Sequence, residues 1–225
     1  MTLPNPIIER EARTGQEGFV HYLFTCLLLG DRPPGGNRGH GLSERGECLL
    51  SAIDECCFGT ASIAEAQVIW EMQLDRRHVE EGLRYPDIGV LTPDRLLLFE
   101  LKTQPGSVRE GQVEEYLERG LHQFPDHQVD LVYLTRDRIA GSPPLTDRSR
   151  YSNVTWAYVA DLVEHAWPEI VDQESALAHY FADYLKDRLP DRSTVPSPRP
   201  PTKPTLPPAR LAPGPGCRRR GRGRP

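Results

Sequence analysis

The sequence predicts an α/β protein in which helices flank a central mixed β-sheet, followed by a disordered C-terminal tail. Three observations lead there: a helical apolar period over the first stretches, a switch to strand-like alternation from about residue 65, and an alternation of helix and strand patterns from there to residue 189. Residues 1–189 form one domain on this reading, and 190–225 form the tail.

The first segment, to about Asp31, reads as helix. Asn5 suits the N-cap and Pro6 the first helical position. Apolar residues then recur at Ile8, Ala12, Phe19, Leu23 and Leu27, with Gly15 and Gly18 interrupting the middle. A loop rich in Pro, Gly and Arg covers Arg32 to Leu42. A second helix, from about Ser43 to Cys57, turns Cys48, Leu49, Ala52 and Ile53 inward. The period then changes, and Glu65–Leu74, Tyr85–Leu91 and Arg95–Lys102 read as strands. Thr92-Pro93-Asp94 supplies the turn that makes a hairpin of the last two. The run Leu96-Leu97-Leu98-Phe99 is apolar enough for burial on both faces. An amphipathic helix is expected over Glu110–Gln123, with Val113, Leu117 and Leu121 on one side. Strands at Val129–Thr135 and Asn153–Val159 follow, then helices at about Ala160–Trp167 and Gln173–Leu189.

Charge is divided unevenly. Of the 225 residues, those after Leu189 hold nine Lys and Arg against one acid, which makes the tail +8; the other 189 residues carry −13. The tail also holds 11 of the 22 prolines, a composition that cannot bury enough apolar surface to order itself. The acidic body argues against a broad DNA-coating surface and suits a site that gathers carboxylates around a cation. No apolar run approaches the ~20 residues a membrane span needs. The N-terminus shows no basic stretch ahead of an apolar one, so a cytoplasmic setting is expected. Five cysteines without a C-x-x-C read as helix-borne thiols, and the seven histidines show no metal-ligand spacing.

Chemistry concentrates on the hairpin. Residues i and i+2 of a strand share a face, so Glu100 and Lys102 project together while Leu101 points into the core. Folding Tyr85–Leu91 back on Arg95–Lys102 places Asp87 beside Glu100. Two carboxylates at the end of a central strand repel each other and are costly to bury unless a cation or hydrogen bonds compensate. Hard oxygen ligands suit Mg²⁺ or Mn²⁺.

Pro86-Asp87, then Glu100-Leu101-Lys102, resembles the PD-(D/E)XK nuclease superfamily, the restriction-endonuclease-like fold. Gln112 and Tyr116 on the next helix resemble the Gln-x-x-x-Tyr signature of its RecB-type branch. The resemblance covers roughly residues 6–160, with motif support in the central part. It implies a three-layer core and metal-dependent hydrolysis of phosphodiesters, most plausibly in DNA, by an endonuclease. Asp87, Glu100 and the Leu101 carbonyl would hold Mg²⁺ or Mn²⁺, and Lys102 would be the catalytic lysine. Gln112 and Tyr116 would orient the substrate phosphate or the lysine. The family also places a glutamate on the first helix near the metal. Glu11, beside the apolar stripe, fits that element, and Glu17 falls on the solvent-facing side of the same helical phase. The implied partner is nucleic acid; a homodimer or a protein that confers specificity is also expected, because the chain is short for a separate sequence-reading domain. The alternative is a nuclease-like fold that works as a binding or accessory module without turnover.

Overall fold

The organising element is β4 (Arg95–Leu101), all seven residues of which are buried. The computed structural model describes residues 5–30, 39–60, 63, 65–104, 109–139 and 145–191, with backbone alone for 5–14. Around β4 lies one six-stranded mixed sheet. Its other strands are β1 (His40–Gly41), β2 (Gln67–Trp70), β3 (Ile88–Leu91), β5 (Gln128–Thr135) and β6 (Ser149–Thr155). Spatial order follows chain order; β1 to β4 pair antiparallel, and β5 and β6 add on parallel to β4.

The sheet separates two apolar layers. On one face Val90, Leu97, Phe99, Leu101, Val132 and Leu134 pack with α1 (Asn5–Leu29), α2 (Glu44–Phe58), α4 (Trp156–Ala166) and α5 (Gln173–Arg188). On the other, Leu96, Leu98, Val129, Leu131 and Tyr133 meet α3 (Gln112–Gln123) through Tyr116 and Leu117. The α/β class, the hairpin and the helix–sheet–helix layering therefore hold. The tail from 192 onward lies outside the described residues, as do residues 32–38 of the expected Arg32–Leu42 loop.

Several boundaries differ from the sequence reading: β2 and β3 are shorter than the expected Glu65–Leu74 and Tyr85–Leu91, and β6 begins at Ser149 rather than Asn153. Residues 156–159, read as the end of a strand, open α4, because Thr155 caps it by accepting from the Tyr158 backbone N–H. The dipeptide His40-Gly41, read as loop, pairs with Val68 and Gln67 as an edge strand. By contrast, Ser43 caps α2 through the Gly46 N–H, close to the expected start. Gly46 also lets α1 and α2 approach: a Cβ there would lie 2.1 Å from the Leu28 carbonyl oxygen. Cys26 lies on α1 and Cys48, Cys56 and Cys57 on α2, and none of these four forms a disulfide.

The start of β4 carries a charge that must be neutralised inside the protein. Arg95 is buried and grips Asp54 of α2 with two nitrogens, at 2.7 and 2.5 Å. It also donates to Asp130 of β5, which Arg150 of β6 holds at 2.8 and 2.6 Å. Phe58 lies under both guanidiniums, with ring centroids 5.3 and 4.7 Å away. Asp54 and Asp130 have no exposed surface, so each depends on these arginines. Replacing Arg95 with alanine leaves buried Asp54 without a cation and Asp130 with Arg150 alone, and Arg95→Ala is expected to lose about 3–5 kcal/mol of stability. Urea denaturation followed by circular dichroism checks this.

Candidate active site

At the far end of β4, roughly 17 Å from Arg95 at the rise of a strand, a second set of charged groups converges. The hairpin register pairs Ile88 with Phe99, which sets Asp87 opposite Glu100. Asp87 Oδ2 accepts the Leu101 backbone N–H at 2.6 Å, a bond that ties the end of the β2–β3 connection to β4. Glu100 Oε1 receives Lys102 Nζ at 2.8 Å and Gln112 Nε2 at 2.8 Å. Gln112 Nε2 also lies 3.0 Å from the Tyr116 hydroxyl, as its i,i+4 position on α3 allows. Asp87, Glu100, Lys102, Gln112 and Tyr116 are thus brought together. Glu100 Oε2 is buried and without a hydrogen-bond partner among the described residues.

The electrostatics are those of a site short of positive charge. Burial first, then the neighbouring Asp87 carboxylate, pushes Glu100 up to about 7, against the pull of Lys102 and Gln112. Burial likewise raises Asp87 to about 6, although the Leu101 N–H and Lys102 oppose it. Burial alone would lower Lys102, but Glu100, Glu17 and Asp87 more than offset that, and the side chain stays an ammonium above its ordinary range.

Two residues of α1 enter this site that the sequence reading did not place there. Glu17 Oε1 lies 3.8 Å from Lys102 Nζ, and its Oε2 accepts from the Thr103 N–H at 3.5 Å. Glu17 is therefore not on a solvent-only face. The expectation for that position, Glu11, falls among side chains outside the described residues. The reason for the difference is Gly15, whose φ of 70° and ψ of 176° break the helix between the two glutamates. A helical phase carried from Ile8 and Ala12 through Gly15 therefore misplaces Glu17, although Phe19, Leu23 and Leu27 are buried as expected. His21, one turn beyond Glu17, stacks on Trp70 at 3.8 Å and lies within 3.1 Å of the Asp87 carbonyl oxygen. A carbonyl only accepts, so Nε2 carries the proton. Burial holds the ring at about 4, hence neutral near pH 7, and its Nδ1 lone pair faces Asp87 Oδ1 at 3.8 Å.

The segment that delivers Asp87 is fastened to α3. Arg119, fully buried, donates to the Gly82 carbonyl at 2.9 Å and to Glu115 at 2.9 Å, and lies 3.1 Å from Glu81. Glu115 also takes Arg84 at 2.8 Å and Arg109 at 2.5 Å. The helix that positions Gln112 thus also fixes the connection ending in Pro86-Asp87.

Among the described residues, no three or more His, Cys, Asp or Glu side chains form a set that could hold a metal ion by themselves. The donor set still fits a hard divalent cation of the Mg²⁺ type, which binds through one or two carboxylates plus water and substrate oxygens. Glu100 Oε2 is the clearest sign of fit, being a buried acceptor with nothing to accept from. Comparison with protein-family models, curated proteins and solved structures finds no match to this chain. Among the described residues no helix is long and apolar enough to cross a membrane.

Gly15 provides a test of how α1 reaches the site. Its backbone conformation is one that only glycine adopts at low cost. Gly15→Ala is expected to cost about 1–3 kcal/mol, even though a Cβ there would meet nothing within 4 Å. The midpoint of chemical denaturation measures it.

Proposed function

We propose that this chain is a metal-dependent nuclease with a restriction-endonuclease-like fold, and that it hydrolyses phosphodiester bonds of DNA. One observation carries the reading. Asp87, Glu100 and Lys102 meet at the end of a buried central strand, where two raised carboxylates share one ammonium. A purely structural cluster has no reason to keep this shortfall. The buried network at the other end of β4 shows how the fold satisfies carboxylates when stability alone is served.

Asp87 and Glu100, with the Leu101 carbonyl, would hold Mg²⁺ or Mn²⁺. The bound ion would polarise a phosphoryl oxygen and lower the pKa of a water. The chain's own residues do the rest. Lys102, kept protonated by its acidic neighbours, places positive charge where negative charge develops on the attacked phosphate. Gln112 donates to both Glu100 and the Tyr116 hydroxyl, so it restrains the carboxylate directly and is itself positioned against Tyr116. Glu17 restrains Lys102 from the other side. Specificity for a strand type or sequence would come from a second copy of the chain or from a partner protein.

The test is cleavage of plasmid, linear duplex, single-stranded DNA and RNA with Mg²⁺, Mn²⁺ or EDTA. The expected result is metal-dependent cutting that falls by at least about a hundredfold in Asp87→Ala and Lys102→Ala, in line with the loss of a charge-stabilising group. A wild type that binds nucleic acid and cuts nothing, or variants that cut equally well, would instead favour a binding module on a nuclease-like fold.

A further inference from the structure

Tyr133 occupies β5 at the position paired with Glu100 of β4. Paired residues of parallel strands present their side chains on the same face, so the phenol and the carboxylate lie side by side on the α3 face of the sheet. Tyr133 has no exposed surface, and its hydroxyl finds no hydrogen-bond partner among the described residues. Its neighbours on the strand, Val129 and Leu131, are apolar, and its ring already packs edge-on against Tyr151 at 5.9 Å. Phenylalanine would fill the same space without the cost of about 1–3 kcal/mol that an unsatisfied buried hydroxyl carries. The hydroxyl thus has a stability cost and no structural return.

Glu100 Oε2 is the complementary orphan. Oε1 is taken by both Lys102 and Gln112, which leaves a buried acceptor on one strand and a buried donor on the next. Burial, and after it the Glu100 carboxylate, hold the phenol far above its ordinary range, so it keeps its proton and can only be a donor to that carboxylate.

We propose that Tyr133 is a positioning residue of this site, whose O–H donates to Glu100 Oε2 and fixes that carboxylate for cation binding. The inference rests on reading Asp87 and Glu100 as a metal centre. A carboxylate oxygen has room for both a cation and a hydrogen bond, and such supporting bonds to ligating groups contribute about 10–100-fold in metal affinity or activity. The two groups are not hydrogen-bonded to each other in this structure, and the ladder between β4 and β5 keeps their residues in register.

The experiment compares wild type, Tyr133→Phe and Glu100→Gln by Mn²⁺ titration calorimetry on the metal-free protein, thermal melting, and steady-state cleavage. Tyr133→Phe should melt no lower than wild type, bind Mn²⁺ about tenfold or more weakly, and lose kcat with KM for the nucleic acid unchanged. A lower melting temperature would show that the hydroxyl serves the fold and would overturn the inference. Wild-type Mn²⁺ affinity and kcat in Tyr133→Phe would overturn it too, while Glu100→Gln losing both would leave the metal centre standing. A rise in KM with Mn²⁺ affinity kept would place the hydroxyl on substrate and refute the positioning role. If the wild type neither binds Mn²⁺ nor cuts, the metal centre itself falls, and this inference with it.

Discussion

The structure depends on one constraint: a central strand buried on both faces that has to carry charge at each end. β4 cannot be wet, because α3 covers one face and the four-helix layer covers the other. Arg95 and Glu100 therefore need partners supplied by other elements. At the first end, α2, β5 and β6 supply them in full, and the result ties three strands to a helix. At the second end, the partners come from the β2–β3 connection, α3 and α1, and the account does not close.

That asymmetry is the physical argument for function. Both ends pair acids with bases across adjacent strands. At the Arg95 end each carboxylate oxygen is met, and at the Glu100 end one oxygen stays bare while two carboxylates are raised toward neutrality. Proteins keep such strain where the same groups have a use that full satisfaction would block. Lys102 and Gln112 share a single oxygen of Glu100, and that sharing is what leaves the other one available.

Precision at this end is built from outside the strand. Arg119 reaches from α3 to the carbonyl of Gly82, and Glu115 collects three arginines, so a long connection is held as if it were regular structure. His21 of α1, stacked on Trp70 of β2, meets the backbone carbonyl of Asp87 from the opposite layer. Trp156, the first residue of α4, donates its indole N–H to the Lys102 carbonyl at 3.0 Å and anchors the end of β4. Each layer of the protein thus contributes one restraint to the same few atoms, as a site that must hold geometry within a fraction of an ångström requires.

The sequence by itself determined what is local and periodic. The apolar run 96–99 specified a strand buried on both faces, Thr92-Pro93-Asp94 specified the turn, and a two-residue period specified that Glu100 and Lys102 share a face with Asp87 opposite. The i,i+4 spacing of Gln112 and Tyr116 on an amphipathic helix was equally visible. The tertiary structure decided what depends on phase and on pairing between distant segments. Gly15 resets the helical phase of α1 through a backbone conformation that a helical wheel does not contain, so Glu17 and His21 reach the site. The four-residue shift from strand to helix after Thr155 turned on one side-chain cap. Tyr133, an ordinary strand residue in the sequence, stands beside Glu100 only because β5 pairs in parallel with β4 in that one register, and a hydrogen-bond ladder between segments thirty residues apart leaves no periodicity to read.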